Sequence, residues 1–328
     1  MFTKKSRVFL TVVMIMTLIV ALSGVIEASE HKDLIIGGGG IGSTWYIFAA
    51  QLSELINKEM PEIPAVSVIE GGAISNVRFV NKGQDMDIGM ASLPNVLDAL
   101  NNKSEFEGEN IDNIAPIINF TTDYVQFVVL ANSGIESFAD LADKRILPGQ
   151  AGWGIEAICR EVLALYGLSY DNIKESGGSV SFVTRAEMSS MMQDGHADMI
   201  SCKGGVPYAQ LLEIEATNKI KVLGFDEEKL EKYLVDKPGY LKGYIPAGSY
   251  KGQTEDALVP CHTSVIFVNK GQSEDRVYNI LKLIMENSDN LNKVMGITIS
   301  KEKALLGIDP SLLHPGAKKY YEEIGILK

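Results

Sequence analysis

Residues 35–46 read Ile-Ile-Gly-Gly-Gly-Gly-Ile-Gly-Ser-Thr-Trp-Tyr, an apolar pair, then five glycines in six positions, then two hydroxyl side chains. Apolar residues recur at three- and four-residue spacing from Trp45 to Ile56. The stretch therefore predicts a strand, a glycine-rich turn and an amphipathic helix. Glycine lets the backbone approach a ligand, and a helix start offers free N–H groups with a partial positive charge. We expect an anion site at this turn.

Two nucleotide motifs partly match the same turn. Gly37, Gly39 and Gly42 satisfy the dinucleotide-binding pattern, but Glu70, the acid at the end of the next predicted strand, lies well beyond the ~20 residues expected. A phosphate-binding P-loop needs Lys after Gly42, where this chain has Ser43. An exported nucleotide-dependent oxidoreductase built on residues 37–42 is therefore kept only as an alternative.

Composition limits the partners. The chain has 328 residues, enough for two lobes with ordinary cores. Its 42 acidic residues outnumber the 30 basic ones, for a net charge of −12. Because a nucleic-acid surface needs a basic stripe, we expect no nucleic-acid partner.

The first 28 residues have the layout of a secretory signal peptide. Three basic side chains within the first seven residues precede the apolar run from Val8 to Leu22, and a plausible cleavage site follows Ala28. The run is short for a bilayer span, which takes ~20 residues, so a retained anchor is the weaker alternative. We expect a periplasmic or extracytoplasmic protein.

The cysteines and histidines suggest no metal or cofactor. Cys159, Cys202 and Cys261 are far apart and lie in apolar contexts, which predicts buried free thiols, with a disulfide as the alternative. No histidine lies at ligand spacing from a cysteine or an acid. No nucleophile turn with a Ser–His–Asp order and no paired acids can be assembled, so we expect no enzyme.

The strand–turn–helix order occurs twice. A predicted strand over 144–147 leads through a glycine-rich turn to a predicted helix over 153–166. Gly42 to Gly83 spans 41 residues, and Gly152 to Gly195 spans 43. This rhythm predicts an α/β fold with a mainly parallel sheet and one architecture used in both halves. The two glycine turns would then face each other across a crevice.

Two strand-like runs, 124–131 and 263–268, are expected to cross between the lobes as hinge strands. The first lobe is then predicted to comprise residues 29–126 and 263–328, and the second residues 127–262.

The residues expected to bind the ligand flank the two turns and the strand ends beside them: Gly42, Ser43, Thr44, Trp45, Tyr46, Gly72, Ala73, Asn76, Ser92, Gly152, Trp153, Gly154, Lys203, Gly205 and Pro207. Several have simpler interpretations. Ser43 or Thr44 could only cap the helix while Trp45 packs inward. Asn76 and Ser92 could also be caps, and Lys203 could point to solvent.

From about Leu34 to Leu327 the chain resembles the TAXI solute-binding proteins of tripartite ATP-independent periplasmic (TRAP) transporters. The motifs that support the resemblance are Gly42-Ser43-Thr44-Trp45-Tyr46, Gly149 to Glu156, Gly205-Val206-Pro207, Ile245-Pro246-Ala247-Gly248-Ser249-Tyr250 and His314-Pro315-Gly316-Ala317.

The resemblance implies a two-lobed class II periplasmic binding protein, monomeric and without a cofactor, that closes on a small solute. It implies delivery to TRAP permease subunits driven by an ion gradient, commonly sodium. It also implies a small organic carboxylate as ligand, of the amino acid, dicarboxylate or keto acid class. A ligand receptor for a sensor kinase is the alternative.

The chain departs from the family pattern at two places. Many relatives have Gly-Ser-Gly-Thr-Glu where this chain has Gly152-Trp153-Gly154-Ile155-Glu156, and Gln-Ser-Asp where it has Ala91-Ser92-Leu93. Because two hydroxyls are missing, a less polar carboxylate than glutamate is expected.

Overall fold

The computed structural model describes residues 33–41, 43–63, 66–83, 85–295, 297 and 299–328. The predicted signal peptide and Gly42 lie outside these residues. Within the described ranges, no helix combines the length and the apolar character that a membrane crossing requires.

The described strands and helices alternate along most of the chain. The strands are β1 (Leu34–Gly37), β2 (Val66–Ile69), β3 (Ile88–Ser92), β4 (Ile114–Leu130), β5 (Arg145–Leu147), β6 (Ser179–Val180), β7 (Met199–Gly204), β8 (Ile220–Val222), β9 (Tyr240–Ile245) and β10 (Ala257–Asn269). The α-helices are α1 (Thr44–Glu59), α2 (Ala73–Lys82), α3 (Leu93–Leu100), α4 (Gly154–Leu165), α5 (Tyr170–Glu175), α6 (Arg185–Gln193), α7 (Ala209–Glu215), α8 (Glu227–Leu234), α9 (Glu274–Glu286), α10 (Ser288–Met295) and α11 (Pro315–Glu323).

The sheet order is β2-β1-β3-β10-β4-β7-β5-β6, with β8 on β4 and β9 on β10. Strands β2, β1 and β3 are mutually parallel, and so are β6, β5 and β7. In each triplet the strand that comes first in the chain, β1 or β5, lies between the other two. Counted inward from either end of the sheet, the order is therefore second, first and third strand of the triplet. The predicted repeat of one architecture is confirmed.

Two long antiparallel strands, β4 and β10, join the triplets. The first part of β4 pairs with β10 and its last part with β7 and β8, while β10 pairs with β9 at its start and with β3 at its end. The two extended crossings predicted from the sequence are therefore present, but each strand is longer than its apolar run.

Buried apolar side chains form separate cores on either side of the crossing. One cluster takes its members from residues 34–120 and 265–321 and defines the first lobe. Two further clusters, within residues 125–259, define the second lobe. The lobe boundaries predicted at 126/127 and 262/263 fall within the two long strands and stay a prediction.

Some elements were not predicted from the sequence. Residues 274–295 form two helices, α9 and α10, because Asn287 ends α9 and its side-chain amide donates to the Leu283 carbonyl. The short strands β8 and β9 were not predicted either. The three cysteines are buried and free, as predicted.

A buried tyrosine in the Ile245–Tyr250 motif supports the chain segment after β7. The Tyr250 hydroxyl donates to Gln126 Oε1 at 2.7 Å and accepts from the Tyr208 backbone N–H at 3.1 Å. Gln126 Nε2 donates to the carbonyls of Gly204 and Gly205 at 3.3 and 3.4 Å. The network therefore fixes the position of the 204–208 segment against β4.

We expect Tyr250→Phe to lower the free energy of unfolding by about 1–3 kcal/mol, because Gln126 Oε1 and the Tyr208 N–H lose their hydrogen-bond partner. Urea unfolding followed by circular dichroism measures the change. Tyr244→Phe is the matched control, since Tyr244 is 55% exposed whereas Tyr250 is 1% exposed. Equal stability of the two variants would contradict the structural role of the Tyr250 hydroxyl.

Candidate functional site

A cleft with a volume of about 1070 Å³ lies between the lobes, beyond the carboxyl ends of β1 and β7. Open α/β sheets bind ligands at such ends, where the strand order reverses. Its first-lobe lining includes Gly39, Gly40, Ser43, Thr44, Trp45, Gly71 and Gly72, and its second-lobe lining includes Arg185, Ser189, Lys203, Gly205, Pro207, Tyr208, Gln210 and Glu213. Thr121 and Asp123 of β4 also line it.

The glycine turn and α1 form one wall. A Cβ atom on Gly38 would lie 2.8 Å from Tyr46 Cα, so only glycine lets the helix pack this closely. Ser43 caps α1, its Oγ accepting from the Tyr46 N–H at 3.2 Å. The cap interpretation holds for Ser43, which also lines the cleft. Thr44 lies at the first helical position and Trp45 both lines the cleft and packs on the first core.

Glu70 closes the glycine turn. Its Oε1 accepts from the Ile41 backbone N–H at 3.0 Å. The ribose of a dinucleotide would have to displace this bond to reach the carboxylate. The geometry therefore gives the dinucleotide alternative no support.

Four of the residues expected at the ligand are not among those that line the cleft: Tyr46, Ala73, Asn76 and Ser92. Asn76 is fully buried and its Nδ2 donates to the Gly38 and Met90 carbonyls, both at 2.9 Å. Its amide ties the glycine turn to β3, so it supports the turn. The Ser92 hydroxyl bonds to Asn95 Oδ1 at the start of α3. Asn76 does not cap α2, because the N-cap of that helix is Gly72. Ser92 is the N-cap of α3, but its side chain accepts no hydrogen bond from the backbone of that helix.

The opposite wall contains two cations. Arg185 begins α6, which Thr184 and Glu187 cap reciprocally. Lys203 lies within β7, near its end. Neither side chain forms an ion pair or a side-chain hydrogen bond with any other residue that the structure describes. Arg185 therefore presents an exposed positive charge to the cleft, and Lys203 presents a partly buried one that interacts electrostatically with Asp123.

A second cavity of about 470 Å³ adjoins the cleft, and we call it the recess. It contains the predicted site residues Gly152, Trp153 and Gly154 at the start of α4, and it shares Arg185, Lys203 and Gln210 with the cleft. The Arg185 guanidinium lies 5.6 Å from the centre of the Trp153 ring, a cation–π distance. The cation that lies over the Trp153 ring is thus supplied by Arg185 of the protein itself, not by a ligand.

A polar band forms the floor of the cleft at the crossing strands. Asp123 is opposite His262, and Thr121 is opposite Ser264, in the β4–β10 pairing. Ser264 Oγ donates to Asp123 Oδ2 at 3.1 Å. Burial raises the pKa of Asp123, against the lowering effects of the Lys203 charge and of Ser264. Burial lowers the pKa of Lys203, against the raising effect of Asp123.

His262 is 2% exposed, and its Nε2 has no hydrogen-bond partner among the described residues. Its ring contacts the Tyr240 ring at 5.3 Å, edge to face. Burial and then the positive charge of Lys203 lower the pKa of His262 to about 3. The imidazole is therefore neutral throughout the physiological pH range.

Sequence reasoning missed much of the second-lobe wall and the floor. The structure brings together the predicted Ser43, Thr44, Trp45, Gly72, Lys203, Gly205 and Pro207 in the cleft, and Gly152, Trp153 and Gly154 in the recess. The sequence does contain a signal for the cleft floor, because the acidic residue Asp123 immediately precedes the strand-like run 124–131. Arg185 gave none, because only the tertiary fold brings it to Trp153.

Comparisons with known proteins identify a family and the fold. A sequence model of the NMT1-like family matches residues 36–325. The structure is similar to that of a TctC solute binding protein from Polaromonas, with a TM-score of 0.54 and 13% identity, covering 90% of this chain and 98% of that one. That similarity shows the fold and confirms the predicted α/β fold of the periplasmic binding protein class.

Two further structures match with lower scores. The periplasmic aliphatic sulphonate binding protein SsuA from Escherichia coli has a TM-score of 0.46 and 16% identity, over 90% of this chain and 94% of that one. An ABC-type phosphate transport receptor from Vibrio cholerae has a TM-score of 0.46 and 12% identity, over 82% of this chain and 100% of that one.

The buried His262 makes stability depend on pH. Because its folded pKa of about 3 is below the ordinary 6.5, the unfolded state binds the proton first as pH falls. We expect this group to reduce the free energy of unfolding by about 2 kcal/mol between about pH 7 and pH 5.

Chemical unfolding at the two pH values, compared with His262→Phe, measures this contribution. The variant should lose less stability than the parent protein on acidification. His196→Gln, a change at an exposed histidine, is the control and should keep the parental pH dependence. A His262→Phe profile parallel to the parental one would show that His262 does not set the slope.

Proposed function

This chain belongs to the NMT1-like family, and on that basis we propose that it is a non-enzymatic receptor that binds a small carboxylate between its two lobes. One observation supports the proposal most. Arg185 and Lys203 both line the cleft, and neither forms an ion pair or a side-chain hydrogen bond with another described residue. Because both cations keep N–H donors free, and because Lys203 is partly buried, an anionic ligand would accept charge-assisted hydrogen bonds from them.

The two walls would hold the ligand in different ways. Arg185 and Lys203 would donate charge-assisted hydrogen bonds to the carboxylate from the second lobe. The start of α1 near Thr44 and the glycine turn would add backbone donors from the first lobe. Trp45 of the cleft and Trp153 of the recess would cover the remainder of the ligand.

Hinge closure would complete the site. A cleft of about 1070 Å³ is slightly larger than the ~300–1000 Å³ typical for ligand pockets and far larger than a small carboxylate requires. Such a ligand would touch both walls only after the lobes approach one another. Closure therefore gains free energy through contacts that the ligand makes with both lobes at once.

We further propose that the receptor is the TAXI-type component of a TRAP transporter, acting as a monomer that delivers its solute to the membrane permease. The motif resemblance supports this subtype, and the fold shared with a protein described as solute binding supports receptor function. Residues 1–28 would direct export to the periplasm. Ion-coupled uptake by vesicles holding candidate permease subunits, with and without this protein, tests the assignment.

Arg185→Ala should weaken binding of the carboxylate found by a thermal-shift screen of amino acids, keto acids and branched or aromatic acids. The expected loss is about 10- to 100-fold in Kd by calorimetry, because a charged hydrogen bond contributes about 1.5–3 kcal/mol. Arg276→Ala is the control, since Arg276 lies on α9 and does not line the cleft. Unchanged affinity in Arg185→Ala, or stabilisation by NAD instead of carboxylates, would contradict the proposal.

A further inference from the structure

The recess is built by the second lobe alone. All of its lining residues fall within 152–210, and it opens to the cleft where Arg185, Lys203 and Gln210 belong to both cavities. A ligand group that enters the recess from the cleft therefore passes Arg185 and Lys203 and lies on the side of them away from the first lobe. A ligand could place an anionic group at this mouth and a second group inside.

Beyond the mouth, the walls of the recess are mostly apolar. They are formed by Trp153, Ile155, Met188 and Cys202, together with the two glycines that flank Trp153. Burial raises the pKa of the Cys202 thiol to about 12, so this side chain is neutral. These walls offer contact area without charge.

Two side-chain donors in the recess, those of Ser201 and Gln210, are already engaged. Ser201 Oγ donates to the Pro148 carbonyl at 2.9 Å. Gln210 Nε2 donates to the Arg185 backbone carbonyl at 3.1 Å. A polar ligand group inside the recess would thus compete with existing hydrogen bonds.

Trp153 holds the cation at the mouth. Its ring lies 5.6 Å from the Arg185 guanidinium and also forms part of the recess wall. One face of the ring can thus orient Arg185 while other atoms of the ring contact a ligand. The arrangement separates a site for charge from a site for apolar surface.

We propose that the recess binds the apolar tail of a monocarboxylate whose carboxylate lies between Arg185 and Lys203. The substrate class is therefore branched or aromatic monocarboxylates, not dicarboxylates. Arg185 and Lys203 at the mouth already bind the first carboxylate, so a second carboxylate deeper in the recess would lose its hydration without gaining a further charged side chain as partner. With about 470 Å³, the recess is within the ~300–1000 Å³ that ligand pockets occupy and has room for an aromatic ring. This inference rests on the proposed function and names its ligand class.

The test is calorimetry on the full chain with butanoate, 3-methylbutanoate, phenylacetate and pentanedioate. We expect phenylacetate to bind at least about tenfold more tightly than butanoate or pentanedioate, because more apolar area leaves water. Trp153→Ala should reduce the advantage of phenylacetate over butanoate at least about fivefold. Tyr244→Ala, at an exposed aromatic residue outside both cavities, should leave the series unchanged.

A gain-of-function variant makes the test independent of lost stability. Trp153→Lys places a cation in the recess wall and should shift the preference toward pentanedioate at least about tenfold. Tighter binding of pentanedioate than phenylacetate by the parent protein, or no change of preference in either Trp153 variant, overturns the inference. If binding still requires Arg185 in that case, the receptor proposal stands. If none of the four acids binds, this inference fails, and the receptor proposal is then decided by the screen of amino acids and keto acids.

Discussion

The structure depends on a polar interruption in its two longest strands. β4 and β10 run through both lobes; β10 is buried except at Leu258, whereas β4 is partly exposed at residues 121–124, where the two strands cross, and at Leu130. At the crossing, Thr121, Asp123, His262 and Ser264 replace the aliphatic side chains found on either side. Because apolar surface cannot be continuous there, the core divides in two. Water or a ligand can then enter between the parts, and the cleft floor is the direct result.

Each lobe presents helix starts to that opening. α1 and α2 begin beside the cleft in the first lobe, α6 borders it in the second, and α4 begins beside the recess. Their positive ends, together with Arg185 and Lys203, gather positive potential inside a chain whose net charge is −12. Asp123 and Glu213 are the opposing charges on the lining. The positive charge of the site therefore depends on which residues the fold brings together, and the net charge of the chain does not predict it.

The sequence predicted what local chemistry determines. The glycine turn before α1, the repeat of the strand order and the two long crossings follow from periodicity and from backbone geometry, and all are present. It did less well with side-chain roles. A buried amide such as Asn76 and a ligand-facing amide have the same local signature, because only the packing around Gly38 and Met90 distinguishes them. Arg185 was not predicted as a site residue for a related reason, since Trp153, which it contacts in the fold, is 32 residues away along the chain.

The proposed binding mode implies an order of events. The recess and the two cations at its mouth, Arg185 and Lys203, belong to the second lobe. A monocarboxylate can therefore make most of its contacts with that lobe before the two lobes close. The first lobe then adds the glycine turn, whose donors reach the carboxylate only in the closed form. The affinity of the open form is thus set by the second lobe and the closure equilibrium by the first. Asp123 lies on the floor between the lobes, where its charge would repel an anion drawn in by closure. The neighbouring charge of Lys203 offsets that repulsion in part, so the floor and the second-lobe wall act together on the bound carboxylate.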